Sequence, residues 1–148
     1  MLTGKGSLTK LEAAQLNPVT LAFVGDAVYS LYVRERLVLS GGGKVADFQR
    51  TAARVVSAQG QSMFVEKLLP HFTEEEADIF RRGKNAKKAT KSKSASHLEY
   101  NRSTGFEAVM GYLYLIGDEG RILELLALDD EESFKARAVE KPFKPSVI

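Results

Sequence analysis

Residues 21–33 read LAFVGDAVYSLYV, an almost wholly apolar stretch with one acid, Asp26, set beside Gly25 in its middle. Leu21, Val24, Val28, Leu31 and Val38 recur at helical spacing, while Phe23, Ala27 and Val33 widen the stripe sideways. A helix that is apolar on most of its circumference is expected to be buried. Asp26 falls with Ala22, Tyr29, Ser30 and Val33 on one narrow face, which predicts a carboxylate cut off from bulk water. An isolated charge in such a place is costly unless a partner, a shifted pKa or a metal ion offsets it. Two readings therefore stand: a structural acid satisfied by arginine or backbone groups, and a ligand for a cation.

The rest of the chain reads as helices around this one. Asn17 is a natural N-cap with Pro18 at the first helical position, and SGGGK at 40–44 closes a helix of about twenty residues. Val45, Phe48, Ala52, Val55, Val56, Met63, Phe64 and Leu68 continue at helical intervals up to Pro70, predicting one long helix that Gly60 softens. In TEEEADIFRRGKN, Thr73 and Glu76 form a capping box, with acids in the first turn and arginines in the last. Helices are also expected from Thr104 to Asp118 and on both sides of a break near Leu128 and Asp129. No alternating strand pattern is sustained, so the expected class is all-α. The 148 residues suit a single domain, with a short irregular tail at about 141–148.

A second acid repeats the oddity of the first. Glu107 sits among Phe106, Ala108, Val109, Met110 and Leu113, with Gly111 one turn further along. Glycines allow helix backbones to approach closely, so Gly25 and Gly111 point to a crossing at which Asp26 and Glu107 face a shared cleft. Such a pair is stable chiefly when it shares a proton or holds a divalent cation.

Composition narrows the chemistry. Cysteine is absent, which excludes disulfides, thiolate nucleophiles and cysteine-bound zinc. His71 and His97 are the only histidines, lack HExxH spacing and are expected at the surface. Neither a signal peptide nor a membrane span is apparent, and the expected location is the cytoplasm. The net charge of +2 conceals an asymmetry: RRGKNAKKATKSKSASH at 81–97 holds seven bases and no acid, leaving the remainder negative by about five. Arg81, Arg82, Lys84, Asn85, Lys87, Lys88 and Lys91 are candidate RNA-phosphate contacts in a basic loop, against the alternative of a merely solvated segment.

The sequence LAFVGDAVYSLYVRERL resembles the signature helix of the ribonuclease III family, whose pattern runs roughly E-F-L-G-D-A-V-L. TGFEAVMGYLYL resembles its later D-x-x-E-A-L-x-G-A-x-Y-L helix. With no double-stranded-RNA-binding domain and with RRGKNAK between the two motifs, the chain is similar to the Mini-ribonuclease III branch over about residues 17–128. The resemblance implies a ribonuclease III endonuclease-like helical fold with Asp26 and Glu107 as catalytic ligands of magnesium at the scissile phosphate. It implies Phe23 at a homodimer interface, and a double-stranded RNA substrate such as the large-subunit ribosomal RNA precursor, with a substrate-remodelling ribosomal protein as a candidate partner. Two positions depart from the pattern: Ala22 stands where the family has its first glutamate, and Thr104 where it has an aspartate. Those departures leave open a non-cutting RNA scaffold. A helical protein-binding module, with the basic strip simply solvated, is the other rival.

Overall fold

In the computed structural model, residues 2–87 and 96–139 are described. Eight α-helices form among them: α1 (Lys10–Ala14), α2 (Pro18–Leu39), α3 (Val45–Val56), α4 (Ala58–Leu68), α5 (Glu74–Asn85), α6 (His97–Leu115), α7 (Glu119–Leu126) and α8 (Glu131–Ala138). A single 3-10 turn, Leu69–His71, joins α4 to α5, and no strand occurs among the described residues. None of these helices is long and apolar enough to cross a membrane.

The hub is α6, against which α2, α5, α4 and α7 pack. It buries a nearly continuous run, Ser103–Phe106 and Ala108–Leu113, so most of its circumference is covered by neighbours. Tyr29, Phe64 and Phe106 meet at the centre, with Tyr29 and Phe106 edge to face at 4.8 Å and Phe64 and Phe106 at 5.8 Å. Pairs of this kind contribute about 1 kcal/mol each beyond the area they bury. α8 closes the bundle from below: Arg137 donates to Asp129 at 2.5 and 3.0 Å and to the Tyr29 hydroxyl at 2.6 Å.

Local signals explain the boundaries. Asn17 caps α2 by accepting from the Val19 amide, with Pro18 at the first position as expected. Thr73 and Glu76 form their capping box on α5. The expected single helix over 45–69 is instead two. The break falls at Ser57, whose extended backbone leaves α3 and whose hydroxyl accepts from the Gly60 amide to start α4. Gly60 is needed at the corner, since a Cβ there would lie 2.5 Å from the carbonyls of Arg54 and Val55. α6 also starts seven residues before Thr104, at a capping box of Ser96 and Glu99. The strip at 81–97 is therefore not wholly loop: its first five residues are the last turn of α5, and His97 opens α6. Lys88 and Lys91 lie outside the described residues, as does the tail at 141–148.

Candidate active site

The site begins with two glycines. A Cβ on Gly25 would stand 1.7 Å from the Glu107 carbonyl oxygen, and one on Gly111 would stand 1.9 Å from that of Leu21. The α2 and α6 backbones thus touch directly, and any side chain at either position forces them apart. The crossing sets Asp26, one residue from Gly25, against Glu107, one turn from Gly111, and the two carboxyls share a hydrogen bond.

Asp26 is exposed, contrary to the expectation of a buried acid. The covered face of α2 is Leu21, Ala22, Gly25, Tyr29 and Val33, whereas Phe23, Leu31 and Val38 point outward. α2 is apolar on two faces, and the one packed inside the chain is the one that carries its glycine. Asp26 lies at the rim between them. Glu107 is half-buried. Burial foremost, then the hydrogen bond and negative charge of Asp26, push its carboxyl up to about 9 against an opposing donation from Gln61. At neutral pH Glu107 is accordingly protonated. No Lys, Arg or His forms a salt bridge with either acid among the described residues.

Gln61, on the first turn of α4, is the residue that sequence reasoning missed. Its Nε2 donates to Glu107 Oε2 at 3.2 Å and to the Val56 carbonyl at 2.9 Å, tying the end of α3 to the acid pair. Ala22 and Thr104 are buried, and the Thr104 hydroxyl is spent on the Tyr100 carbonyl at 3.0 Å. No cluster of three or more Asp, Glu, His or Cys side chains suited to a metal occurs among the described residues. His71 and His97 are exposed, as expected.

The basic end of α5 is held beside the same segment of α6. A Cβ on Gly83 would stand 2.9 Å from Gly105 Cα and 3.0 Å from Ala108 Cβ, so the last turn of α5 lies on the turn of α6 that includes Glu107. Asn85 and Lys87 are exposed there, and Lys84 is half-buried. Arg81 pairs with Asp78 on its own helix. Arg82 departs from its expected role as a phosphate contact. Its guanidinium turns inward and donates to the carbonyls of Ala14 at 2.8 Å and Leu16 at 3.4 Å, because α1 ends there with acceptors to satisfy.

Residues 19–118 match the Ribonuclease III domain family, a span that contains the crossing helices and both acids. The chain belongs to the ribonuclease III family. It is similar to the Mini-ribonuclease 3 of Symbiobacterium thermophilum, 50% identical over 75% of this chain and 85% of that one. It is also similar to that of Clostridium tetani, 37% identical over 81% of this chain and 80% of that one. A crystal structure of a Fusobacterium nucleatum protein superposes with a TM-score of 0.72 at 29% identity, covering 77% of this chain and 93% of that one. As a ribonuclease III domain the chain is a double-strand-specific endoribonuclease, which sets aside the scaffold and protein-binding alternatives.

Proposed function

We propose that this ribonuclease III domain is magnesium-dependent, with Asp26 and Glu107 as its catalytic ligands, and that it acts in the cytoplasm as a homodimer on double-helical ends of the large-subunit ribosomal RNA precursor. The observation that carries the catalytic part is an acid pair with no cationic partner among the described residues, seated where two glycines bring helix backbones into contact. Two neighbouring carboxyls, one of them half-buried, form a site suited to a divalent cation. Magnesium, when bound, supplies a water of lowered pKa and neutralises charge building on the phosphate.

The chain's own groups divide the remaining work. Asp26, exposed at the rim, is open to an approaching RNA phosphate. Glu107 is held in one orientation by Gln61. Exposed Arg81, Asn85 and Lys87, together with Lys84, Lys88 and Lys91, supply the phosphate contacts, whereas Arg82 is turned inward onto α1. A-form RNA is read mainly by shape and by backbone and 2′-hydroxyl contacts, so weak sequence preference accompanies this arrangement.

The open face of α2 supports the dimer. Phe23 is 80% exposed, and Leu31 and Val38 are each 61% exposed along the same side. An apolar row of this length is the kind of surface that partners cover. The ribosomal RNA substrate, and a ribosomal protein that remodels it, rest on the resemblance to short family members. The decisive experiment incubates long duplex RNA with the protein in magnesium and in chelator. Cuts only in magnesium, leaving 5′-phosphates, support the reading; equal cutting in chelator refutes it. Sedimentation of the same sample should give a dimer that Phe23→Glu turns into a monomer.

A further inference from the structure

Gln61 is among the most completely enclosed polar side chains of the described core, 1% exposed. Its amide orientation is settled by its contacts. Nε2 faces the Val56 carbonyl, which can only accept, so reversing the amide would set two acceptors against each other. Nε2 thus donates to both Val56 and Glu107, and Oε1 points elsewhere. Oε1 is buried and has no hydrogen-bond partner. Two other buried side-chain atoms lack partners, Arg102 Nη2 and Arg137 Nε, and both belong to guanidinium groups engaged through another nitrogen, Arg102 Nη1 with Glu66 and Arg137 Nη1 and Nη2 with Asp129. Gln61 Oε1 is the one acceptor in that set, and it belongs to the side chain that touches the acid pair. Buried acceptors are nearly always satisfied, so one left open on the side chain that holds Glu107 calls for a donor from outside the chain, a water or one brought with a ligand.

We propose that Gln61 is the neutral third member of the cation site: Nε2 holds Glu107 in its ligating orientation, and Oε1 accepts a hydrogen bond from a water carried on the cation. The inference rests on the metal-site reading of Asp26 and Glu107. Magnesium retains several of its waters, so a neutral acceptor is the natural complement to two carboxylates that already balance its charge. It also accounts for Ala22 and Thr104: with two acids gone from the family pattern, orientation comes from an amide on α4. Gln61 is on this argument a positioning residue, acting through Glu107 and the hydration shell.

The test is Mn2+ titration of the RNA-free full chain, followed by electron paramagnetic resonance, for wild type, Gln61→Met, Gln61→Glu and Asp26→Asn. Gln61→Met keeps the volume and removes both polar functions; it should weaken Mn2+ binding at least about tenfold, the usual effect of losing an outer-shell partner. Gln61→Glu keeps an oxygen at the Oε1 place but loses the Nε2 donation to Glu107 and Val56, so it should bind Mn2+ more tightly than Gln61→Met. A packing role alone makes Glu as harmful as Met, since it adds a buried charge, so equal weakening by both overturns the proposal. Unchanged Mn2+ affinity in folded Gln61→Met overturns it as well. Should Gln61→Met fail to fold, Gln61→Leu takes its place in the same comparison. Wild type that binds no Mn2+, or Asp26→Asn that binds it normally, removes the metal site itself and this inference with it. Normal loss in Asp26→Asn with no change in either Gln61 variant removes the Gln61 role alone.

Discussion

Asp129 and Glu76 are shut away from solvent, and each faces an arginine: Asp129 meets Arg137, with Arg36 close by, and Glu76 takes two hydrogen bonds from Arg121 at 2.8 and 2.9 Å. Asp26 and Glu107 face each other, and nothing positive among the described residues stands against them. The first two acids fasten helices together, α8 to the core and α7 to α5. The second two lie side by side with no counter-charge among the described residues and fasten no helix by an ion pair. An acid that serves the fold is neutralised by the fold; on the proposed reading, the acid pair is neutralised by a cation.

The sharpest way to break this contrast is to make the same substitution on both sides of it. If Asp26 is a ligand of the proposed magnesium ion, Asp26→Asn should lower duplex cleavage by several orders of magnitude, because water activation and charge neutralisation would both depend on that ion. In chelator its Tm should stay within about 2 °C of wild type, as for a surface change with no lost partner. Asp129→Asn should do the reverse. It leaves Arg137 buried without its counter-charge, which costs roughly 3 to 5 kcal/mol and a Tm loss on the order of 10 °C, while the surviving folded fraction still cuts. Differential scanning calorimetry beside a cleavage assay reads both, and an Asp26→Asn protein that melts early would merge the two classes.

Gly25→Ala sharpens the comparison at the backbone. Forcing a methyl onto the Glu107 carbonyl should cost about 1 to 3 kcal/mol or more and reduce cleavage beyond what the stability loss explains. Gly120→Ala on α7, where a Cβ meets nothing nearer than 3.9 Å, should be neutral or stabilise by up to about 1 kcal/mol. The smallest effect concerns Glu76. Burial would raise its pKa, but hydrogen bonds from Arg121 and Thr73 and the Arg121 charge overbalance this and hold it below the ordinary glutamate value of 4.5. A depressed folded-state pKa contributes stability above the unfolded value and loses it as pH falls through the folded one. Glu76→Gln keeps the capping contact and removes the ionic one. Its Tm deficit should therefore be full at neutral pH and close progressively in acid below about 4.5; a deficit independent of pH would show that packing, and not the ion pair, fastens α7.

How much of this could be read from the chain follows from the range of each signal. The α2 start at Asn17 and Pro18, the Thr73 and Glu76 box, the break before α8 and the glycine-marked crossing are local patterns, and they were legible. The side of α2 that faces inward was not, because periodicity reports an apolar stripe without saying what covers it. Phe23 and Leu31 count as core by that rule, yet lie open, whereas Tyr29 and Val33 are fully enclosed. Ser57 was hidden because one serine inside a helical pattern reads as tolerated until its hydroxyl is seen on Gly60. The box of Ser96 and Glu99 was present as a pattern but overshadowed by the basic run before it. Gln61 and Arg82 act across 46 and about 67 residues of chain, and no local pattern carries that information.

The contact of backbone on backbone between α2 and α6 has a consequence for how freely this chain can vary. A core of interlocking side chains can be rewritten, because a loss of volume at Phe64 can be met by a gain at Tyr29 or Phe106 and rotamers absorb the remainder. A glycine against a carbonyl has no rotamer to change and no neighbour that can shrink to make room. Combinatorial libraries over the aromatic cluster should thus yield many active sequences, whereas libraries over positions 25 and 111 should return glycine alone.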